Sequence, residues 1–329
     1  LSTSENLNDK ALFYKLVSLV NYETGNIRES QNTMNNLISL VDKNFSVLDP
    51  LSISSRMDNI IISSKTAKNL SNFKNLAIEE LAKSQLTGNP YLITKGYLTL
   101  ANIYNMNYNY TTASALHSLA IDNFYKHKLK SETLFYQIIK QSSLIDKTKL
   151  KRLLKEPPVN NQKIINLLKY NDIIINTRST FYDNVTVLDS ILSNESEDLT
   201  SIKTYLRKYI LFETNHRPAT SEYYKEKALE VLGDNYSKDS TLYIDYYLRL
   251  IFENFDKMIE KGKIEKSITE FGDFINRNNL AYLNVNQIAF IYNKLLFAIL
   301  YNEGIHEITK RYGEFYNAHK NLIGEQIGR

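Results

Sequence analysis

The chain has 329 residues, 43% of them hydrophobic, which is enough apolar material for one large domain or two. It has only 10 glycines and 5 prolines, and this scarcity of turn-forming residues favours long helices joined by short loops over an all-β chain of this length. The absence of cysteine excludes disulfides, cysteine-ligated zinc and thiol catalysis. The formal net charge of +4 is too small to imply nucleic-acid binding. No uncharged apolar stretch reaches the roughly 18 residues of a membrane-spanning helix.

From the N-terminus onward, a six-residue pattern recurs along the chain. A turn residue, a polar residue and a hydrophobic residue are followed by two mostly polar residues and a small or apolar one. Gly25–Ser30 and Gly262–Ser267 are nearly the same string. The copies begin near positions 25, 71, 108, 145, 183, 216, 262 and 304. Each interval suits one antiparallel helix pair, so the pattern predicts a turn at each copy and about eight pairs in total.

The clearest repeat surrounds the copy near position 108. Before the turn, one face of a helix carries residues at i, i+3, i+4 and i+7: Tyr97, Leu100, Ala101 and Tyr104. After the turn, a second helix carries Ala113, His117 and Ala120 at i, i+4 and i+7. The segment from about 90 to 128 resembles a tetratricopeptide repeat (TPR), in which small residues at these places let the paired helices approach closely. The segment Tyr223–Leu229 resembles the second helix of the same repeat.

Prolines and polar segments mark the breaks between helices. Asn89-Pro90 ends one helix and Pro157-Pro158 ends another, because proline lacks a backbone donor and restricts the residue before it. No linker is long enough to force a domain boundary. We therefore expect a single domain over 1–329, with a soft subdivision near 157–160. With the resemblance, this predicts an all-α fold, a right-handed α-α superhelix (TPR-like solenoid) of about eight antiparallel helix pairs.

No catalytic motif is found in the sequence. It has no phosphate-binding glycine loop, no His-Glu-x-x-His and no Gly-x-Ser-x-Gly. No two of the five histidines are three or four residues apart, which argues against a metal site on a helix. His117 stands where the repeat needs a core aromatic, so a packing role is preferred to a catalytic one. We therefore expect no enzyme, no catalytic residue, no cofactor and no metal.

The candidate binding residues follow from the resemblance, because in that family the first helix of each pair lines a concave groove. With Tyr97 and Phe135 taken as the repeat aromatics, six residues are assigned to the groove or its edge: Lys95, Leu98, Asn102, Asn105, Tyr136 and Lys140. Asparagine amides can clamp a peptide backbone and lysine can pair with a carboxylate. The face therefore suits a peptide with an acidic or free C-terminal group. The alternative is that these side chains are simply solvated.

The densest basic run of the chain comprises Lys147, Lys149, Lys151, Arg152 and Lys155. Its functional interpretation is contact with an acidic partner, an anionic lipid head group or nucleic acid. Its plain interpretation is a solvated helix face, and we favour that one.

These observations predict binding rather than chemistry. The expected partner is a peptide or a protein, a homodimer is left open, and direct nucleic-acid binding is not expected. The repeats also resemble the helical part of bacterial and phage peptide-pheromone receptors, such as arbitrium receptors. The segment Arg311–Lys320 resembles the last repeat before the membrane helix of tetratricopeptide sensor kinases, which implies an adjacent membrane helix outside this chain and an extracytoplasmic sensor. Both resemblances imply signal transduction or transcriptional regulation. The alternative is a structural or assembly scaffold, including a phage virion or assembly component.

Overall fold

The computed structural model describes residues 3–67, 69–141, 144–175, 180–193 and 199–236, and six single positions further on: Tyr243, Tyr246, Tyr247, Lys310, Gly313 and Asn317. The secondary structure of these residues is helical, and no strand occurs among them. The predicted all-α class is thus confirmed for the described part of the chain. A right-handed superhelix of the TPR type remains a prediction.

Twelve α-helices lie within these described residues: α1 Thr3–Glu23, α2 Ile27–Asn44, α3 Pro50–Ser64, α4 Ser71–Thr87, α5 Pro90–Met106, α6 Tyr110–Lys126, α7 Glu132–Lys140, α8 Lys147–Lys155, α9 Gln162–Ile175, α10 Phe181–Leu192, α11 Leu199–Thr214 and α12 Pro218–Asn235. None of these described helices is both long and apolar enough to cross a membrane.

Most of the predicted turns agree with the helix boundaries. The copies near 25, 108, 145 and 216 fall between consecutive helices, and the copy near 71 begins α4. The turn predicted near 183 was wrong, because α10 has already begun at Phe181. There Thr180 and Asp183 cap each other's backbone amides at the helix start, so the polar residues that suggested a turn form a helix cap. The copies near 262 and 304 lie outside the described residues.

The start of α5 shows how the sequence sets a helix boundary. Gly88 adopts a left-handed conformation with φ 64° and ends α4. The Asn89 side chain accepts hydrogen bonds from the backbone amides of Tyr91 and Leu92, at 3.0 and 3.4 Å. Pro90 then occupies the first helical position, where its missing amide donor is not needed. The break predicted at Asn89-Pro90 is thus a boundary between two helices.

Helices that follow one another in the chain generally pack together, most extensively α1 on α2, α4 on α5, α5 on α6, and α11 on α12. The odd-numbered helices also form a series of neighbours, in which α1 contacts α3, α3 contacts α5, α5 contacts α7, α7 contacts α9, and α9 contacts α11. The short α8 is different, since it packs mainly on α9. We call the surface formed by α1, α3, α5 and α7 the odd-helix face, and it holds the candidate site.

Small residues bring α5 close to its neighbours. A Cβ atom at Gly96 would lie 2.8 Å from Leu81 Cδ1 and 3.3 Å from Leu81 Cα on α4, so only glycine fits here without movement. Ala101 of α5 and Ala113 of α6 are fully buried in one apolar cluster with Leu144. The small residues of the clearest repeat therefore lie where helices pack closely.

Proximity of Cα atoms divides the chain into two compact units, which are described separately. The first comprises Leu1–Glu23, Ile27–Ser64 and Leu70–Asn235, and it holds the twelve helices named above. The second comprises Thr24–Asn26, Lys65–Asn69 and Tyr236–Arg329. In its last segment the rings of Tyr243 and Tyr247 stack, with their centroids 5.6 Å apart. The single domain over 1–329 stays a prediction.

Candidate ligand-binding site

The six residues assigned to the groove lie on two neighbouring odd-numbered helices. Lys95, Leu98, Asn102 and Asn105 belong to α5, and Tyr136 and Lys140 belong to α7. Four of the six are partly exposed: Asn102, Asn105, Tyr136 and Lys140. Lys95 and Leu98 are buried, with 3% and 1% of their surface exposed. Ligand binding by these residues stays a prediction, but the structure separates two buried side chains from four accessible ones.

Leu98 is part of the apolar core rather than of a surface. It lies in a buried cluster with Phe124 of α6 and Phe135 and Ile139 of α7. The side-chain amide of Gln141, just after α7, donates to the Leu98 carbonyl at 3.5 Å. A ligand could reach Leu98 only if α7 moved away from α5.

Lys95 takes part in a buried charged cluster that joins three helices. Its ammonium group lies 2.7 Å from the Asp58 carboxylate of α3. It also donates to the Ser54 hydroxyl at 2.8 Å and to the Ser54 carbonyl at 3.1 Å. From α1, Lys15 Nζ donates to the same hydroxyl at 2.6 Å and lies 3.3 Å from Asp58 Oδ2. We call Lys15, Ser54, Asp58 and Lys95 the lysine–aspartate cluster.

The lysine–aspartate cluster contains two lysine side chains but a single carboxylate. Burial would raise the pKa of Asp58, but Lys95 and Lys15 outweigh burial and hold this pKa below its ordinary value. Burial lowers the pKa of Lys15, and Lys95 acts in the same direction. The cluster therefore has a formal surplus of one positive charge, which is costly in a buried place.

The two lysines differ in what they still offer a ligand. The three N–H donors of Lys95 are matched by the Ser54 hydroxyl, the Ser54 carbonyl and the Asp58 carboxylate. Lys15 has two acceptors, which leaves one donor without an acceptor among the described residues. The Lys15 side chain is also 16% exposed, against 4% for Lys95. Lys15 is thus the more exposed of the two lysines and the one with a donor left over.

A second group of polar side chains joins α7 to the end of α1. Lys140 Nζ lies 2.6 and 2.9 Å from the two carboxylate oxygens of Glu23. The same ammonium is 5.5 Å from the ring centroid of Tyr22 and 5.6 Å from that of Tyr136, which are favourable cation–π distances. The Lys140 side chain remains 32% exposed. The odd-helix face therefore presents two tyrosine rings and an ion pair that a ligand can contact.

Sequence reasoning missed Lys15, Ser54, Asp58 and Glu23, because the contacts that bring them together are tertiary. One signal was available in α3, where Asp58 is followed by Ile60, Ile61 and Ile62. A lone carboxylate in a largely apolar helix needs a cationic partner when it is buried. Nothing in the local sequence identifies α1 and α5 as the source of that partner.

No group of three or more histidine, aspartate or glutamate side chains suited to a metal ion occurs in the described part of the chain. His117 is fully buried, and its Nε2 lies 2.9 Å from the Ile138 carbonyl. What the odd-helix face offers is hydrogen-bond donors, aromatic rings and an unbalanced positive charge. Compared with known proteins, the sequence matches no protein-family model and no curated protein.

Proposed function

We propose that this chain is a non-enzymatic binding domain that recognises a peptide or a partner protein on its odd-helix face. It serves as the sensory or regulatory part of a signal-transduction or transcription-regulating protein. The observation that carries the proposal is the surplus positive charge of the lysine–aspartate cluster, whose member Lys15 is partly exposed. A ligand carboxylate that binds Lys15 removes the surplus and makes the buried charges balance.

The surroundings of Lys15 support a peptide in particular. Tyr91 of α5 packs against the buried cluster that contains Ile53 and Met57 of α3, and Tyr22 and Tyr136 lie on α1 and α7. Tyrosine combines a large apolar surface with a polar tip, which suits peptide recognition. The side-chain amides of Asn102 and Asn105 on α5 are partly exposed and can pair with a peptide backbone.

A thermal-shift screen tests the proposal with peptides made in two forms. Each short peptide is prepared with a free C-terminal carboxylate and with an amidated C-terminus. At a concentration about 100-fold above Kd, binding stabilises the folded state by about 2.7 kcal/mol, which for a chain of 329 residues is a rise in Tm of about 4 °C. We expect the free-acid form of at least one peptide to raise Tm and its amide to lose most of the rise.

The variant Lys15→Met links this shift to the cluster. It removes the surplus cation and leaves the Lys95–Asp58 pair intact, so the variant should fold at least as stably as the unmodified protein. It should lose the carboxylate-dependent rise in Tm. Lys43→Met removes one exposed lysine from α2 and should retain the rise. Equal shifts in all three proteins, or no shift with any peptide, would refute the proposed site.

A second candidate function is a structural or assembly scaffold, and one feature of α1 favours it. Leu12, Phe13, Leu16 and Val20 are each more than half exposed, although they are large and apolar. Such a patch marks an interaction surface. If the chain is a scaffold, size-exclusion chromatography should show assemblies that Leu16→Glu abolishes. If it is the proposed peptide receptor, Leu16→Glu should leave the peptide-dependent rise in Tm unchanged.

A further inference from the structure

A second surface, formed by the C-terminal end of α6 and by α8, also contains unbalanced positive charge. The exposed cations are Lys126, Lys128 and Lys130 at and after the end of α6, and Lys151, Arg152 and Lys155 on α8. Side-chain contacts hold the two helices together here. Lys149 Nζ lies 2.8 Å from Asp122 Oδ2 and donates to the Ser118 carbonyl at 3.0 Å. The Tyr125 hydroxyl donates to the Glu156 carbonyl at 3.1 Å.

Between these helices lies an open cleft of about 440 Å³, which we call the α6–α8 cleft. Its lining combines cations with apolar and aromatic groups, and includes Lys126, Arg152, Leu119, Tyr97, Tyr125 and Asp122. Leu119 is about half exposed, and Tyr97 is partly buried. The cleft thus offers charged groups and apolar surface to the same ligand, a combination found in many recognition pockets.

Arg152 is held in position for binding a carboxylate. Its guanidinium carbon lies over the Tyr125 ring, 4.1 Å from the centroid, which is a favourable cation–π distance. This contact restrains the guanidinium, whose planar set of N–H donors suits paired hydrogen bonds to a carboxylate. Neither Arg152 nor Lys126 has an ion-pair partner among the described residues. By contrast, the charge of Asp122 in the same cleft is balanced by Lys149.

We infer that the α6–α8 cleft binds an acidic segment of a partner protein. A carboxylate of that segment contacts Arg152 and Lys126, and a neighbouring apolar side chain lies against Leu119 and Tyr97. This inference is independent of the proposed function, because it uses none of the residues of the lysine–aspartate cluster. It assigns a role to Arg152, one member of the basic run that the sequence alone left as a solvated face.

The lining of the cleft favours an acidic protein segment over nucleic acid. One face of the Tyr125 ring is already covered by Arg152, which removes a platform on which a base could stack. The formal net charge of the chain is only +4, which is small for a surface that follows a nucleic-acid backbone.

Fluorescence anisotropy with a defined probe tests the inference. The probe is a fluorescein-labelled peptide with two glutamates on each side of one phenylalanine, and a matched peptide has glutamine in place of every glutamate. We expect the acidic peptide to bind and the glutamine peptide to bind at least about tenfold more weakly, because charge-assisted hydrogen bonds are lost. Binding should weaken as salt concentration rises.

Paired variants locate the binding site. The double variant Lys126→Gln with Arg152→Gln should weaken binding of the acidic peptide by about tenfold or more, with unchanged circular dichroism and Tm. The control Arg28→Gln with Lys43→Gln removes two exposed charges from α2 and should bind like the unmodified protein. Lys15→Met should also bind normally, which separates this site from the odd-helix face.

Equal affinities in both double variants would overturn the inference. So would a clear preference of the unmodified protein for a single-stranded oligonucleotide or an anionic lipid vesicle.

Discussion

Acidification is expected to destabilise the protein through His117, whose surroundings suit only the neutral ring. Because its Nε2 faces the Ile138 carbonyl at 2.9 Å, this nitrogen carries the proton and donates it. Nδ1 is buried and has no hydrogen-bond partner among the described residues. Burial lowers the pKa of His117 from 6.5 to about 4, against the opposing effect of the Ile138 carbonyl, and Lys149 lowers it further.

The sign and size of the effect follow from these pKa values. Below pH 6.5, His117 binds a proton in the unfolded chain but stays neutral in the folded chain. The free energy of unfolding therefore decreases as the pH decreases. The contribution is complete above pH 6.5 and is lost progressively down to about pH 4. The difference between the two pKa values corresponds to a loss of about 3 kcal/mol.

Two measurements check this expectation. In NMR, the Cε1–H resonance of His117 should titrate with a midpoint near pH 4. In urea unfolding, His117→Gln retains an amide donor for the Ile138 carbonyl but cannot titrate. The variant should therefore lose about 3 kcal/mol less stability than the unmodified protein between pH 7 and pH 4. His127→Gln alters an exposed histidine at the end of α6 and should keep the original pH dependence. A midpoint near 6.5, or the same pH dependence in all three proteins, would refute the reasoning.

Two further comparisons test the packing of α5 and the charged cluster. Gly96→Ala should destabilise the fold by about 1–3 kcal/mol because the new Cβ collides with α4, whereas Gly233→Ala meets no atom within 4 Å and should stabilise α12 by up to about 1 kcal/mol. Thermal unfolding of both variants tests this expectation. A higher Tm for Gly96→Ala than for Gly233→Ala would contradict the close approach of α5 to α4. Asp58→Asn should cost about 3–5 kcal/mol because it leaves the buried Lys95 and the partly buried Lys15 without a carboxylate. Asp42→Asn, at a carboxylate whose side chain is 52% exposed, should cost less than about 1 kcal/mol in the same urea experiment, and equal losses would contradict the buried cluster.

The helix pair α5–α6 was the most predictable part of the fold, because its signals are local. Apolar spacing, the Asn89-Pro90 boundary and the small residues Ala101 and Ala113 can all be recognised within one segment of sequence. The start of α10 was misplaced for an equally local reason, since the polar residues of a helix cap are the same types that form turns. The sequence therefore predicted the existence and the order of the helices more reliably than the residue at which each helix begins.

The candidate site was less predictable, because the burial of a side chain depends on which helices cover it. Leu98 has the spacing of a groove residue, but α7 and its Phe135 cover it in the core. Lys95 has the same kind of position and is buried by its contact with Asp58, more than thirty residues away in sequence. A pattern within α5 cannot distinguish a lysine that faces a ligand from one that faces an aspartate on α3.

The lysine–aspartate cluster also shows how structure and binding can be separated within one group of residues. Apolar side chains of similar volume commonly stabilise a core as well as a buried ion pair does, so the charges need another explanation. If their role were only to fix the positions of α3 and α5, Asp58 and Lys95 would suffice, because this pair is neutral and has all three lysine donors matched. Lys15 adds a cation that such a role does not need. Its side chain is also more exposed than those of Lys95 and Asp58. The effect of Lys15→Met on stability and on ligand binding therefore distinguishes a charged core from a recognition site.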